Sequence, residues 1–412
     1  MLDVRKIALT ISFFSTFSCL AMVYDNRFIP LLARPRLIFD GKPSSIAFDT
    51  FITTANNAVY DEKTVSIPSL FGPFDQKKFA DGMVMAGYPN PLRPELRTGS
   101  LPWHTAGKIQ TQGISFTFHM PIISERLSTG LSCLFMHVNT YEQFALGQTL
   151  GATSPYVLQE LDNLRRLMFT QIGLTHNQKS QIGFGDIDWY IRLGHAWHYE
   201  FKCRNCDIGA RVGLLIPTGK KRSLNTPSSI PFGGNGHWGM YGAIDGLFEL
   251  REDLKVGLMA RISTRFTKTS CQRLTVHDEP APLGIITGLA RVRPGLTFVL
   301  SPLIALENLR EGLGISAQYT MTKHLQDKWN DARLDSTYNG KEVSVNLDKI
   351  SELSSWASDY FTVNVFYDFG KTKISRSIEP ILSFRWDIPA ALYVTDSVPS
   401  TNRISIGVEF VF

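Results

Sequence analysis

The chain has 412 residues, 43% hydrophobic and 19% charged, with a net charge of +5. Both signs are spread along it, so no basic block suits nucleic acid. No uncharged apolar run after residue 23 approaches the roughly 18 residues of a transmembrane helix, so a membrane would have to be crossed by strands.

At the N-terminus, Arg5 and Lys6 precede an apolar stretch from Ile7 to Cys19, and Cys19-Leu20-Ala21 offers a small-x-small cleavage site. The stretch is too short to span a bilayer, and the arrangement predicts a signal peptide over 1–21. A packed N-terminal helix and a lipidated Cys19 are the alternatives, although Phe17 before Ser18-Cys19 is a poor lipidation context. Residues 22–44 read as a periplasmic or lumen segment, with Pro30 and Pro35 interrupting an otherwise apolar 28–39. The rest, 45–412, reads as one domain.

From residue 45 onward the recurring signal is alternation with period two, the mark of a strand with one apolar face. Trp189, Ile191 and Leu193 oppose Asp188, Arg192 and Gly194. Ile208, Ala210, Val212 and Leu214 oppose Asp207, Gly209, Arg211 and Gly213. Twelve strands are predicted, at about 45–55, 110–120, 130–139, 185–201, 206–217, 238–250, 254–266, 289–300, 312–323, 357–369, 377–388 and 403–412, although 131–138 do not alternate cleanly. Long connections (56–109, 140–184, 218–237, 267–288, 324–356, 389–402) alternate with short ones, as do the outer loops and periplasmic turns of a transmembrane barrel. A fourteen-strand count would need 28–39 and one more strand in the first long loop. In the second, Val157, Leu158, Leu161, Leu164, Leu167 and Met168 fall at three- and four-residue spacing after Ser154-Pro155, which predicts a short helix over 155–172. It could cap the pore or simply pack on neighbouring loops. The expected class is therefore all-β, a transmembrane antiparallel up-and-down barrel with about twelve strands, long outer loops and one loop helix.

The last strand is the clearest. Ile404, Ile406, Val408, Phe410 and Phe412 share one face, with Arg403, Ser405, Gly407 and Glu409 on the other. Its terminal aromatics, Phe410 and Phe412, resemble the recognition signal for outer-membrane barrel assembly. They imply barrel assembly machinery and outer-membrane lipid as partners, in an exported multi-pass barrel of the bacterial outer membrane. In an exported chain, Cys203-Arg-Asn-Cys206 reads as a turn disulfide, with two free thiols as the alternative.

Three adjacent segments carry a resemblance. They are Gly183-Phe-Gly-Asp-Ile-Asp-Trp-Tyr-Ile-Arg-Leu-Gly194, Gly209-Ala-Arg-Val-Gly-Leu-Leu-Ile-Pro-Thr-Gly219 and Gly233-Gly-Asn-Gly-His-Trp-Gly239. They resemble the porin-like outer-membrane family of phenol-degradation-pathway (meta-pathway) proteins. The likeness covers about 183–262 and the C-terminal strand, and it does not reach the N-terminal third. It implies a passive channel for small, often hydrophobic molecules. On its own chemistry, Pro217 ends a ladder and Gly219 permits a sharp exit, which predicts a strand end at a rim.

The polar faces would line the lumen. The pore-lining candidates are Arg192, Arg211, Lys255, Arg261, Arg265, Arg291, Arg293, Arg385 and Arg403, with Asp186, Asp188, Asp245, Glu249, Glu379 and Asp387. Glu200, Asp207, Asp368 and Glu409 share that parity. Such residues either fill and stiffen a narrow interior or set a transverse field that selects solutes. Arg261, Arg265, Arg291 and Arg293 read as the densest basic cluster, favouring anionic solutes. Catalysis is not expected. Asp186 and Asp188 have no identifiable histidine partner, although His176 and His237 are in loops, and His237-Trp-Gly-Met lacks a nearby hydroxyl. No P-loop, His-x-x-x-His helix or calcium loop appears, so no cofactor or metal is expected. Gly233-Gly-Asn-Gly236 precedes a strand, not a helix, and reads as a turn rather than a phosphate cradle. The overall expectation is an outer-membrane channel for small, hydrophobic or anionic solutes. A structural or adhesive barrel without transport is the alternative, and a barrel hydrolase the remote one.

Overall fold

A computed structural model describes residues 27, 44–97, 99–123, 126–146, 155–175, 178–198, 203–371 and 379–412. The expected signal peptide at 1–21, residues 28–43, His176 and Glu200 lie outside the described residues. Apart from six short loop strands of two to four residues, the strands are β1 (Ser45–Ala55), β2 (Trp103–Ile123), β3 (Leu127–Leu146), β4 (Gln178–Phe184), β5 (Ile187–His198), β6 (Asn205–Ile216), β7 (Gly239–Glu249) and β8 (Leu254–Arg265). There follow β9 (Lys268–Leu274), β10 (Ile286–Arg293), β11 (Thr297–Arg310), β12 (Leu313–His324), β13 (Trp356–Asp368), β14 (Glu379–Pro389) and β15 (Asn402–Val411). Two helices matter below, α1 (Gln76–Met85) and α2 (Pro155–Gln171).

Antiparallel pairing runs β2-β1-β15-β14-β13-β12-β11-β8-β7-β6-β5-β3, and β2 pairs with β3 to close the ring at twelve strands. β4 adds to the upper part of β3, directly above β5, so that β4 and β5 form one descending path broken at Gly185-Asp186. Every long connection leaves from one end and every short turn from the other, with β1 beginning and β15 ending at the short-turn end.

Burial is inverted relative to a soluble protein. On β15, Ile406 is 62% exposed while Arg403 and Ser405 are 9% and 5% exposed. Polar side chains inside and apolar ones outside are what hydrocarbon surroundings require, and this closed barrel has the architecture of an outer-membrane protein. The outward face of β2 fixes where lipid stops. It reads His104, Ala106, Lys108, Gln110, Gln112, then Ile114, Phe116, Phe118, Met120, Ile122. Gln112 sits opposite His137 and Ile114 opposite Phe135, so β3 changes polarity at the same level. From Ile114 to Ile122 is about 27 Å along a strand, or about 20 Å of height at a tilt near 40°. The outer parts of β2 and β3 rise above this belt. Among the described residues no helix is long and apolar enough to cross a membrane.

Strand eight lies at Thr297–Arg310, not at 289–300 as its neighbourhood in the sequence suggests. Pro302 sits mid-strand opposite Leu258, where a ladder break is expected from its missing N–H. The alternation at 286–293 belongs instead to an outer hairpin, β9 with β10, joined by Lys328–Asp331.

The hydrophobic core is in the outer loops. Phe79 and Met83 of α1, Leu161, Met168 and Phe169 of α2, Leu274, Ile286 and Trp329 form one cluster with Phe51, Ile109, Leu134 and Met136. The last four are inward-facing wall residues, so the loops fold down into the outer mouth on the β1–β3 side. A Cβ on Gly107 of β2 would stand 2.7 Å from Pro68 of the first loop. Asp75 caps α1 by accepting from the Lys77 and Lys78 N–H groups. The helix expected over 155–172 is α2, which packs into this cap.

Lys78 Nζ hydrogen-bonds the Asp278 carboxylate at 2.7 Å, and Lys349 Nζ lies 3.4 Å from it. The Lys78 hydrogen bond, with the charge of Lys349, holds the Asp278 carboxyl below the usual carboxylate range. A depressed folded-state value adds stability above the unfolded value near 3.9, lost as pH falls through the folded value. Cleavage of the outer loops by an acid-active protease should therefore rise only below about pH 3.9. Asp278→Asn should remove that step. Lys78 and Asp278 are 40% and 38% exposed, so the step is small.

Candidate functional site

The inward faces of β5 to β8 carry a charge-balanced arc. Arg192 bonds Asp207 at 2.9 Å and Asp245 at 2.8 Å. Arg211 bonds Asp245 at 2.7 Å and lies over the Tyr190 ring. Arg261 bonds Asp188 at 3.0 Å and stacks on Tyr241, whose hydroxyl donates to Asp188 at 2.7 Å. Three guanidinium groups thus meet three carboxylates. Glycines on the inward face give the large side chains room. A Cβ on Gly213 would stand 2.3 Å from the Tyr241 ring, and one on Gly209 2.5 Å from the Arg192 guanidinium.

The opposite wall is mostly neutral. Ser301, Gln318 and Thr320 hydrogen-bond one another on β11 and β12, and Asn364 donates to Ser316. Its ions are paired too. Arg403 bonds Asp387 at 2.5 Å, and Thr362 donates to the same carboxylate. Near the short-turn end Glu307 accepts from both Lys255 and Lys371. Glu249 accepts from Asn205 and lies near Arg204. Arg385 is buried on the inward face of β14.

Asp186 holds the break between β4 and β5. Its carboxylate pairs with Arg265 at 2.7 Å and accepts the N–H groups of Gly219, at 3.0 Å, and Gly234, at 2.7 Å. The three sequence segments singled out above therefore meet at one carboxylate. Gly233 and Gly234 press on it so closely that a Cβ would lie 2.3 Å from Asp186 Cγ or 2.0 Å from Arg265 Cζ. The Gly-rich turn cradles an anion after all, but that anion is the protein's own side chain. Pro217 ends β6 at the rim, as its chemistry requires.

Twelve of the expected lumen residues thus lie inward or at the rim. Arg291 and Arg293 do not, because they ride on the outer hairpin strand β10, and Arg291 is exposed. The basic cluster expected with Arg261 and Arg265 is therefore absent, and both of those arginines are ion-paired. Glu379 begins β14, and its side chain lies outside the described residues. The Cys203–Cys206 disulfide is not formed: neither cysteine is joined to the other. Cys206 sits on the outward face of β6 while Cys203 lies in the turn before it. Missed from sequence were Tyr190, Tyr241 and Glu307. The inward glycines opposite the tyrosines were the available signal, and Glu307 was hidden by the shifted strand.

Asp186 and Asp188 are each committed to an arginine, and His237 Nδ1 pairs with the Phe266 carbonyl. Among the described residues no group of His, Cys, Asp and Glu could hold a metal ion.

No protein-family model and no curated protein matches the chain. Solved structures align with it at low identity. An outer membrane channel from Pseudomonas putida F1 aligns over 93% of this chain and 100% of its own, at 11% identity and TM-score 0.49. The transport unit of the autotransporter AIDA-I from Escherichia coli aligns over 93% of each chain, at 5% identity and TM-score 0.38. The toluene transporter TodX from Pseudomonas putida aligns over 90% of this chain and 89% of its own, at 10% identity and TM-score 0.31.

Proposed function

We propose that the barrel is a passive channel for small amphipathic or hydrophobic molecules, of the porin-like kind that its motifs resemble. The observation that supports this is a lumen lined by polar side chains whose charges are matched in place, beneath a mouth narrowed by an apolar cap. Matched pairs leave little net field, so weak charge selectivity replaces the anion preference expected from four clustered arginines. In planar bilayers under a salt gradient the reversal potential should be near zero. Arg261→Ala frees Asp188 from its ion pair and should move the potential toward cation preference. A strong anion preference unaffected by Arg261→Ala would overturn this reading.

A second reading, a structural or adhesive barrel without transport, draws on the same filled mouth. Liposome swelling separates the two: no flux of any small solute from correctly folded barrels favours the structural role. Assembly belongs to the same proposal. Phe410 and Phe412, 36% and 51% exposed at the short-turn end, would present the terminal aromatics to the barrel assembly machinery. Deleting Phe412 should lower surface-assembled protein, read by heat-modifiable mobility in gels, and normal assembly of that variant would remove the role.

A further inference from the structure

Three lysines stand on the outer rim where the lipid belt ends. Trp238 and Phe266, 51% and 44% exposed, close the belt at the outer ends of β7 and β8, with the Phe266 N–H donating to Trp238 O at 2.7 Å. Two residues past Phe266, Lys268 Nζ donates to Gly236 O at 2.8 Å. A Cβ on Gly236 would lie 2.6 Å from Lys221 Cε and 3.3 Å from Lys268 Nζ, so the two ammonium-bearing chains converge on one small surface. Lys220 is exposed beside them, donating to Ile182 O over the outward-facing Ile182 and Phe184 of β4.

This corner differs from the rest of the barrel in its charge. The arginines of β5 to β8 each have a carboxylate partner. Lys220, Lys221 and Lys268 make no ion pair among the described residues, and their only bonds are to carbonyl oxygens. Burial, and then the neighbouring Lys221 charge, lower Lys268 from the usual lysine range. Like charges gathered without a counter-charge raise the free energy of the empty corner and favour a bound anion.

We propose that this rim corner binds a membrane lipid with a phosphorylated headgroup, its phosphate held by Lys221 and Lys268 with Lys220 beside them. The apolar part would lie along Trp238, Phe266 and Phe184. The vertical order decides between a lipid and a soluble anion. Exposed aromatics directly beneath a tier of ammonium groups match the profile of an acyl chain below a charged head. A soluble phosphate would use the lysines and leave the aromatics without a role. Charge-assisted N–H···O bonds are short and strong where water is partly excluded, as beside Trp238.

Native mass spectrometry of the full chain in detergent tests this, with three probes: bisphosphorylated lipid A, its dephosphorylated form, and inorganic phosphate. The expected result is one retained lipid A. Lys221→Gln/Lys268→Gln should bind it about tenfold more weakly or worse, the cost of two charged hydrogen bonds. The dephosphorylated lipid should be lost, and Trp238→Ala should weaken lipid A. Heat-resistant gel mobility shows that each variant is folded. Equal retention of the dephosphorylated lipid, or unchanged binding by the folded double lysine variant, overturns the proposal. Inorganic phosphate binding as tightly as lipid A overturns the lipid source and leaves a soluble-anion site.

Discussion

Trp103→Ala should raise conductance while the barrel stays folded. Trp103 stands at the top of β2 on its inward face and is 7% exposed. Its ring meets Phe144 at 5.7 Å and Phe169 at 6.1 Å edge-on, and Phe74 at 6.5 Å. Its indole N–H donates to Gln76 Oε1 at 3.1 Å, and Gln76 in turn donates to Leu161 O at 2.9 Å. One side chain therefore joins α1, α2 and the wall. Truncating a buried aromatic of this kind costs about 3–5 kcal/mol, and here it also strands a buried amide oxygen. The loss falls on the cap, because the wall is held by a closed ladder that does not involve the indole. Single-channel conductance and protease sensitivity of the outer loops should rise together, with heat-modifiable mobility retained. A loosened cap with unchanged conductance would show that the cap does not limit flow.

Asp186→Ala should have the larger effect on stability. It leaves the Arg265 guanidinium buried without its carboxylate and removes the acceptor for Gly219 and Gly234. Breaking a buried pair by removing one partner costs about 3–5 kcal/mol. Thermal unfolding in detergent should shift strongly downward for Asp186→Ala and less for Asp186→Asn, which keeps one acceptor oxygen. Gly234→Ala should resemble Asp186→Ala, since its methyl group would stand 2.0 Å from Arg265 Cζ and displace the guanidinium. The double variant Asp186→Ala/Arg265→Ala should recover part of the loss, because no lone buried charge remains. Equal destabilisation by single and double variants would show that the hydrogen bonds to the two glycines dominate.

Much of the wall was legible. Period-two alternation located most of the strands and the parity of the loops, because the lipid belt and the wet lumen impose opposite polarities on neighbouring residues; the strand at 130–139 lacks clean alternation over 131–138. Strand eight was misread because the alternation at 286–293 belongs to an outer hairpin just ahead of the wall strand, and that error carried Arg291 and Arg293 into the wall. The cap was illegible for a different reason. Phe79, Trp103, Phe144 and Phe169 meet across long sequence separations, and no local period announces such contacts. The resemblance pointed to three segments without saying what joins them. Their meeting point, Asp186, needed the fold. The C-x-x-C spacing suggested a covalent link between Cys203 and Cys206 that the structure does not contain.

The pairing of β1 with β15 places Ser45 opposite Val411 and Thr54 opposite Asn402. Ring closure thus joins the first and last strands of the wall, across nearly the whole length of the described chain. Contacts of such high sequence separation come late, since the entropy of bringing the ends together is spent before any ladder bond forms. Until β15 arrives, β1 and β14 each present an open edge of unpaired amides, an aggregation hazard in water. A chain shortened before Asn402 should therefore fail as a whole rather than yield an eleven-stranded remnant.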